Sequence, residues 1–175
     1  MVIDSAHCLL NIQWRESKHC DVPQINIGCN TGQQGIFQCE LIVLHCVSLP
    51  AGEFGSGLPS QLFTGTLDIG AHESFASLAG VRVAPHLFID RDGVVEQFVP
   101  FDRPAWHAGE SQWMNRQGCN RFSLGIELEG TWESPFAEAQ YEALLEVCTA
   151  LCQRYPSLAP NAIVGHQEIA PGRKQ

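Results

Sequence analysis

The sequence has few basic residues and no long apolar run. Ten Lys and Arg stand against nineteen Asp and Glu, which gives a formal net charge of −9. A chain this acidic lacks the basic surface that nucleic acids and anionic membranes require, so we expect neither as a partner. No apolar run approaches the roughly 20 residues that cross a bilayer. The first residues also lack the basic and apolar regions of a secretory signal, and we therefore expect a cytoplasmic protein.

The cysteines lack the spacing of a structural metal site. None of the eight forms a Cys-x-x-Cys pair, which disfavours a zinc knuckle. In a cytoplasmic protein we expect them to be reduced thiols. A hydrophobic content of 45% over 175 residues is typical of one globular domain.

Hydrophobic periodicity predicts an α/β (α+β) domain in which helices pack on a sheet. Strands are predicted at 41–46, 81–90, 94–99, 122–129 and 162–165, and the second and third form a hairpin through Asp92-Gly93. Short helices are predicted at 60–67 and 72–78. A long helix should start after Ser134-Pro135. Its predicted apolar stripe consists of Tyr141, Leu144, Leu145, Cys148, Leu151, Cys152 and Tyr155. Residues 1–40 are weakly patterned and are predicted to form an N-terminal arm.

Two histidines follow short apolar runs. His45 comes after Leu-Ile-Val-Leu, and His166 comes after Ile-Val-Gly. Ligands of open α/β sheets bind at the carboxyl ends of strands, so sheet pairing could make these histidines two ligands of one metal. The alternative is that each is a structural histidine at a strand end.

Two carboxylates share one face of the strand at 122–129. Glu127 and Glu129 alternate with aliphatic residues, and Gly125 leaves space beside them. A carboxylate beside a cleft can serve as a general base, and Glu127 lies nearer the strand centre. The alternative is that both acids form a solvated edge.

Three further polar or aromatic positions have both a functional and a structural interpretation. Trp106 and His107 lie in the loop 101–120, where an aromatic could floor a sugar or peptide pocket or only anchor the loop. Lys174 could place a cation beside His166 or be an ordinary exposed lysine. His86 alternates with apolar residues and is predicted to be a packed histidine.

Several long motifs occur in a fixed order. They are Leu-Ile-Val-Leu-His at 41–45, Trp-His-Ala-Gly at 106–109, Cys-Asn-Arg-Phe-Ser-Leu-Gly-Ile-Glu-Leu-Glu-Gly at 119–130, and Gly-His-Gln-Glu-Ile-Ala-Pro-Gly-Arg-Lys at 165–174. Together they resemble the AmpD-type bacterial 1,6-anhydro-N-acetylmuramyl-L-alanine amidases, within the zinc amidase and peptidoglycan-recognition-protein superfamily. The resemblance covers the chain from about residue 40 to its end.

The resemblance implies a single domain, residues 41–175, with a central mixed β-sheet flanked by helices and Zn²⁺ in a cleft at one end. Its site residues carry over by motif match. The implied metal ligands are His45 and His166; the implied catalytic residues are Glu127 and Lys174; the implied substrate contacts are Arg82, Trp106, His107 and Cys46, the last standing where the family usually has asparagine.

The sequence departs from the family at the third metal ligand. In the family this ligand is an aspartate two residues after the lysine that matches Lys174, whereas this sequence ends at Gln175. We expect a truncated C-terminal segment, with the third ligand just beyond Gln175. Gly118 also replaces an arginine that in the family lies near the substrate peptide.

The function that the resemblance implies is zinc-dependent hydrolysis of the amide between 1,6-anhydro-N-acetylmuramic acid and the L-alanine of the stem peptide. We expect this reaction in cytoplasmic peptidoglycan recycling, with an anhydro-muropeptide as the partner and a monomer as the active form. The alternatives are a broader amidase that acts on intact peptidoglycan and a non-catalytic module that binds peptidoglycan fragments without a complete metal site.

Overall fold

The computed structural model describes residues 1–19, 37–159 and 161–172. Its strands are β1 (Gln13–Trp14), β2 (Leu41–Val47), β3 (Leu87–Ile89), β4 (Val95–Gln97), β5 (Gln112–Trp113), β6 (Arg116–Gln117), β7 (Ser123–Glu129) and β8 (Ile163–Gly165). Six of them form one sheet in the order β1-β4-β3-β7-β2-β8, and β5 and β6 form a separate hairpin. The sheet is mixed, because β3 and β4 are antiparallel while the other neighbours are parallel. The predicted fold class is confirmed.

The β3–β4 hairpin turns where the sequence predicted it. Gly93 has a φ of 79°, a left-handed conformation that glycine adopts without steric cost. The Asp90 carboxylate accepts a hydrogen bond of 2.8 Å from the backbone N–H of Val94. The predicted strands were longer than the observed ones, since only three residues on each side pair regularly.

Three α-helices accompany the sheet: α1 (Leu58–Thr64), α2 (Glu138–Arg154) and α3 (His166–Ile169). Short 3₁₀ helices occur at Ile69–Ala71, Glu73–Leu78 and Cys119–Arg121. The long helix begins at Glu138, three residues later than Ser134-Pro135 predicted. The predicted stripe was wrong at Tyr141 and Leu145, which are 51% and 69% exposed. The prediction is confirmed at Leu151, which is buried, and the rest of the buried face of α2 follows Ala143, Val147 and Ala150.

The two faces of the central strands differ in chemistry. Ile42 of β2, with Leu124 and Ile126 of β7, packs in one apolar cluster with Val147 and Leu151 of α2. On the opposite face β7 presents its polar or small residues, which are Ser123, Gly125, Glu127 and Glu129. Helix α2 therefore covers the apolar face and leaves the other for a site.

The predicted N-terminal arm contributes to the sheet. Strand β1 pairs with β4 at the sheet edge, and Arg15 lies 2.7 Å from the carboxylate of Glu96. Residues 20–36 lie outside the described residues, so the boundary predicted at residue 40 stays a prediction. Within the described ranges, no helix is long and apolar enough to cross a membrane.

Candidate active site

The register of the parallel strands brings His45 and Glu127 side by side. They are direct partners in the β2–β7 pairing, and Phe88 of β3 is the partner of Glu127 on its other side. Partners in adjacent parallel strands project from the same face, with the strands about 4.8 Å apart. His45 is 5% exposed and Glu127 is 7% exposed. An imidazole and a carboxylate thus share one buried face.

His166 joins this face from the neighbouring strand. Leu44 pairs with Gly165 at the end of β8, so His166 comes next to His45 as the chain continues into α3. The Nδ1 atoms of the two histidines are 2.9 Å apart. Glu168 accepts a 2.7 Å hydrogen bond from the backbone N–H of Gly165 and thereby fixes the start of α3. The structure brings together two predicted ligands that are 121 residues apart in sequence.

The two converging nitrogens suit a zinc ion. Two nitrogens bound to one tetrahedral zinc at about 2.0–2.1 Å are about 3.4 Å apart. The observed 2.9 Å is about half an ångström shorter than that separation. Among the described residues, no group of three or more His, Cys, Asp or Glu side chains is arranged to hold a metal. The described residues thus include two imidazole nitrogens of the kind that zinc binds, and their assignment as metal ligands stays a prediction.

His107 lies directly against His45. Its Nδ1 is 2.9 Å from Nε2 of His45, and its Nε2 is 3.3 Å from Oγ of Ser123. Burial lowers the pKa of His107 well below its usual value, and neighbouring His86 adds to that effect. The sequence assigned His107 to substrate contacts, and that role stays a prediction. Its contact with His45 was not predicted.

Gly125 provides the space that His107 fills. A Cβ atom at this position would lie 2.3 Å from Cγ of His107, far inside van der Waals contact. The N–H of Gly125 donates to Nδ1 of His86 at 3.1 Å, and Nε2 of His86 donates to the Arg103 carbonyl at 2.9 Å. His86 is fully buried, as predicted, and burial lowers its pKa to about 4. In the sequence, Gly125 indicated only that space is left on this face of the strand.

Glu129 is a structural anchor. It is 2% exposed, and its carboxylate accepts hydrogen bonds from the N–H groups of Gly55, at 2.7 Å, and Arg91, at 3.3 Å. These contacts tie the loop at 48–57 to the end of β7. Because Glu127 and Glu129 are both buried, the expectation of a solvated edge is wrong.

Two of the predicted substrate-contact residues lie on neighbouring segments. The carbonyl of Trp106 accepts a 3.1 Å hydrogen bond from the N–H of Ala84, which brings the segment with Arg82 beside the Trp106 loop. Trp106 is half-buried and Arg82 is exposed. Their roles in binding stay predictions.

Cys46 and Lys174 complete the predicted site residues. Cys46 pairs with Leu128, and strand alternation places it on the face of β2 opposite to His45. Its assignment to substrate binding stays a prediction. Lys174 lies outside the described residues.

A cavity of about 610 Å³ opens between the loop that follows His107 and the end of α3. Its lining includes Gly109, Gly118, Arg121 and Ile169. Gly118, which replaces the family's arginine, has a φ of 75° and packs under the side chain of Arg121. The lining of this cavity therefore carries a cation, Arg121, three residues after Gly118.

The chain is similar to known proteins in both sequence and fold. The 1,6-anhydro-N-acetylmuramyl-L-alanine amidase AmpD of Enterobacter cloacae is 52% identical over 134 residues, which cover 77% of this chain and 71% of that protein. A crystal structure of a selenomethionine derivative of AmpD superimposes with a TM-score of 0.87 at 44% identity and covers 99% of this chain and 90% of its own.

A third protein has been solved with a ligand. The amidase AmiD of E. coli, in complex with the substrate anhydro-N-acetylmuramic acid-L-Ala-D-γ-Glu-L-Lys, is 26% identical with a TM-score of 0.56, and the match covers 82% of this chain and 54% of that one. The family described as N-acetylmuramoyl-L-alanine amidase matches residues 38–175. By its sequence, its fold and this match, the chain belongs to the N-acetylmuramoyl-L-alanine amidase family.

Proposed function

We propose that the chain is a zinc-dependent amidase of cytoplasmic peptidoglycan recycling. Its substrate is an anhydro-muropeptide, in which it cleaves the amide between 1,6-anhydro-N-acetylmuramic acid and L-alanine. The observation that carries the proposal is the convergence of His45, Glu127 and His166 on one face of the sheet, with the two imidazole Nδ1 atoms 2.9 Å apart. The 52% identity to a relative named for this activity supports the choice of substrate.

His45 and His166 would hold the zinc ion, because their Nδ1 atoms face each other at 2.9 Å. When bound, zinc polarises the scissile carbonyl and lowers the pKa of a water molecule. Catalytic zinc takes three protein ligands, and we propose that the third is the aspartate expected just beyond Gln175. Near-complete burial of His45 limits the rotation of its ring and keeps its nitrogen directed at His166.

Glu127 is the general base and then the general acid. As the neighbour of His45 in the strand register, its carboxylate reaches the same side of the substrate. It accepts a proton from the water that attacks the lactyl carbonyl carbon, and it passes that proton to the alanine nitrogen as the C–N bond breaks. The products are a lactyl carboxylate and a free peptide amino group. We assign to Lys174 the stabilisation of the negative charge that develops on the carbonyl oxygen.

The substrate cleft follows the neighbouring Arg82 and Trp106 segments. An indole face suits the apolar face of a sugar, and a guanidinium suits a carboxylate of the stem peptide. We propose that these two side chains fix the ligand along the cleft while the amide lies between His45 and Glu127.

Hydrolysis assays test the proposed function. The 175-residue chain is incubated with an anhydro-muropeptide, with and without a chelator and with zinc added back, and peptide release is followed by mass spectrometry. We expect peptide release to depend on zinc. If the third ligand is missing from the 175-residue chain, release should be slow, and adding an Asp-containing C-terminal segment should make it faster. No release from either form, with tight binding of the muropeptide, would replace the proposal with a non-catalytic binding module. Faster release from intact peptidoglycan would replace the substrate.

A further inference from the structure

A line of hydrogen-bonding groups runs from a backbone carbonyl to His45. Oγ of Ser123 lies 2.7 Å from the carbonyl oxygen of Cys119 and 3.3 Å from Nε2 of His107. Nδ1 of His107 lies 2.9 Å from Nε2 of His45. Ser123 is fully buried, and His107 and His45 are 8% and 5% exposed. Bulk water therefore has little access to this line.

The carbonyl at one end determines the direction of every hydrogen bond. A carbonyl can only accept, so the hydroxyl of Ser123 donates to Cys119 and leaves its lone pairs for Nε2–H of His107. A neutral imidazole that donates through Nε2 must accept through Nδ1. Nδ1 of His107 therefore accepts the Nε2–H of His45.

These hydrogen bonds determine the protonation of Nδ1 of His45. A ring that carries its proton on Nε2 has its lone pair on Nδ1, which is the atom that faces Nδ1 of His166 at 2.9 Å. This is the tautomer that a metal ligand needs. We propose that His107 and Ser123 are positioning residues that hold His45 in this tautomer before any metal arrives. The inference rests on the proposed function for its zinc, although the tautomer itself does not depend on zinc.

Two further residues hold His107 in place. The side-chain oxygen of Asn120 accepts hydrogen bonds from the backbone N–H of His107, at 3.1 Å, and of Ala108, at 2.8 Å. Gly125 lies under the ring, where a Cβ atom would meet Cγ of His107 at 2.3 Å. The ring is thus fixed through its backbone, its face and both of its nitrogens.

The expected loss of zinc affinity follows from the role of a residue that hydrogen-bonds to a metal-bound histidine. Removing the partner of a metal-bound histidine typically costs 10–100-fold in metal affinity. Asn and Leu have nearly the same shape, but only Asn can accept a hydrogen bond close to the position of Nδ1. His107→Asn and His107→Leu therefore form a matched pair that separates the hydrogen bond from packing.

The first test reads the tautomer without metal. Long-range ¹H–¹⁵N spectra of the metal-free 175-residue chain, labelled on histidine and recorded at about pH 8 so that imidazoles are neutral, report which nitrogen carries the proton. We expect Nε2–H on His45 and His107 in the native protein, and a mixture on His45 in His107→Leu. In Ser123→Ala, which changes a single oxygen atom, we expect a mixture on His107. A native His45 that carries its proton on Nδ1 would overturn the proposal.

The second test measures zinc affinity by competition with a chromophoric chelator. We expect binding to weaken about 10–100-fold in His107→Leu and to recover most of that loss in His107→Asn. A purely packing role predicts equal losses of stability in both variants and no difference in zinc affinity, which would overturn the proposal. If zinc binds neither to the native 175-residue chain nor to that chain with the Asp-containing C-terminal segment added, the proposed function fails. The tautomers of the native and His107→Leu proteins still decide the role of His107.

Discussion

His45 and Glu127 are direct partners on adjacent parallel strands, and both side chains are more than nine-tenths buried. The backbone positions that carry an imidazole able to bind a metal and a carboxylate able to move a proton therefore lie one strand spacing apart, about 4.8 Å. Neither residue depends on a loop for its position. This arrangement allows the role of the carboxylate to be tested without disturbing His45, the proposed metal ligand.

Replacing Glu127 by Gln should abolish turnover and leave zinc binding intact. The amide keeps the size of the side chain but cannot accept and return a proton, and a positioned general base contributes about 10²–10⁴-fold. We expect kcat on an anhydro-muropeptide to fall by that factor while zinc content stays unchanged. Peptide release by mass spectrometry and metal analysis measure the two quantities. A kcat within about tenfold of the native value would exclude Glu127 as the base.

Replacing Glu129 by Gln should destabilise the protein. Its buried carboxylate accepts hydrogen bonds from the N–H groups of Gly55 and Arg91, and an amide would direct an N–H₂ group at one of these donors. The mismatch should cost about 1–3 kcal/mol of unfolding free energy and increase proteolysis of the loop at 48–57. Urea denaturation and limited proteolysis check both effects.

The matched control for Glu129 is Glu53→Gln in the same loop. Glu53 is exposed, so the same loss of charge should change the unfolding free energy by less than about 0.5 kcal/mol. Equal effects of the two substitutions would mean that charge, and not the buried hydrogen bonds, matters at position 129.

The sequence predicted much of the sheet and both histidines of the site. His45 and His166 were identifiable because each follows an apolar run, and the carboxyl ends of parallel strands lie at one edge. The edge strand β1 could not be predicted, because two residues that pair with β4 carry no periodic signal. The apolar stripe of α2 was wrong at Tyr141. Hydrophobic periodicity treats every large apolar side chain as buried, whereas the side chain of Tyr141 is half exposed in the fold.

The residues that contact His45 could be identified only from the structure. His107 is 62 residues from His45 in sequence, and no pattern pairs two histidines that meet across a loop and a strand. The only nearby indication in the sequence was Gly125. Its missing side chain leaves space that either a substrate or an aromatic ring could fill. Burial distinguishes these two possibilities, and burial depends on the whole fold.

Replacing Gly125 by Ala should therefore be costly. The added methyl group would overlap the ring of His107 at 2.3 Å, and overpacking of this kind costs about 1–3 kcal/mol. Urea denaturation should show that loss. Gly165→Ala is the control, because a Cβ there meets only an oxygen of Glu168 at 3.7 Å, which is ordinary contact. A Gly125→Ala protein as stable as this control would show that the ring of His107 can move aside.

Stability should fall as the pH drops below the ordinary histidine range. Burial lowers the pKa of His86 from 6.5 to about 4 in the folded protein. The unfolded chain therefore takes up a proton near pH 6.5 that the folded protein resists until about pH 4, and unfolding becomes easier across that window. At 1.36 kcal/mol per pKa unit, the loss attributable to His86 is roughly 3 kcal/mol.

His86→Gln isolates this contribution. Glutamine does not titrate, so the variant should be less stable at neutral pH yet show a shallower dependence on pH, by about 1.4 kcal/mol per pH unit at the steepest. Burial also lowers the pKa of nearby His107. The His86→Gln variant should therefore retain part of the pH dependence. Unfolding free energies from urea titrations of the chelator-treated proteins between about pH 4.5 and 7.5 give both slopes. Parallel slopes for the native and variant proteins would mean that the folded protein takes up the His86 proton as readily as the unfolded chain.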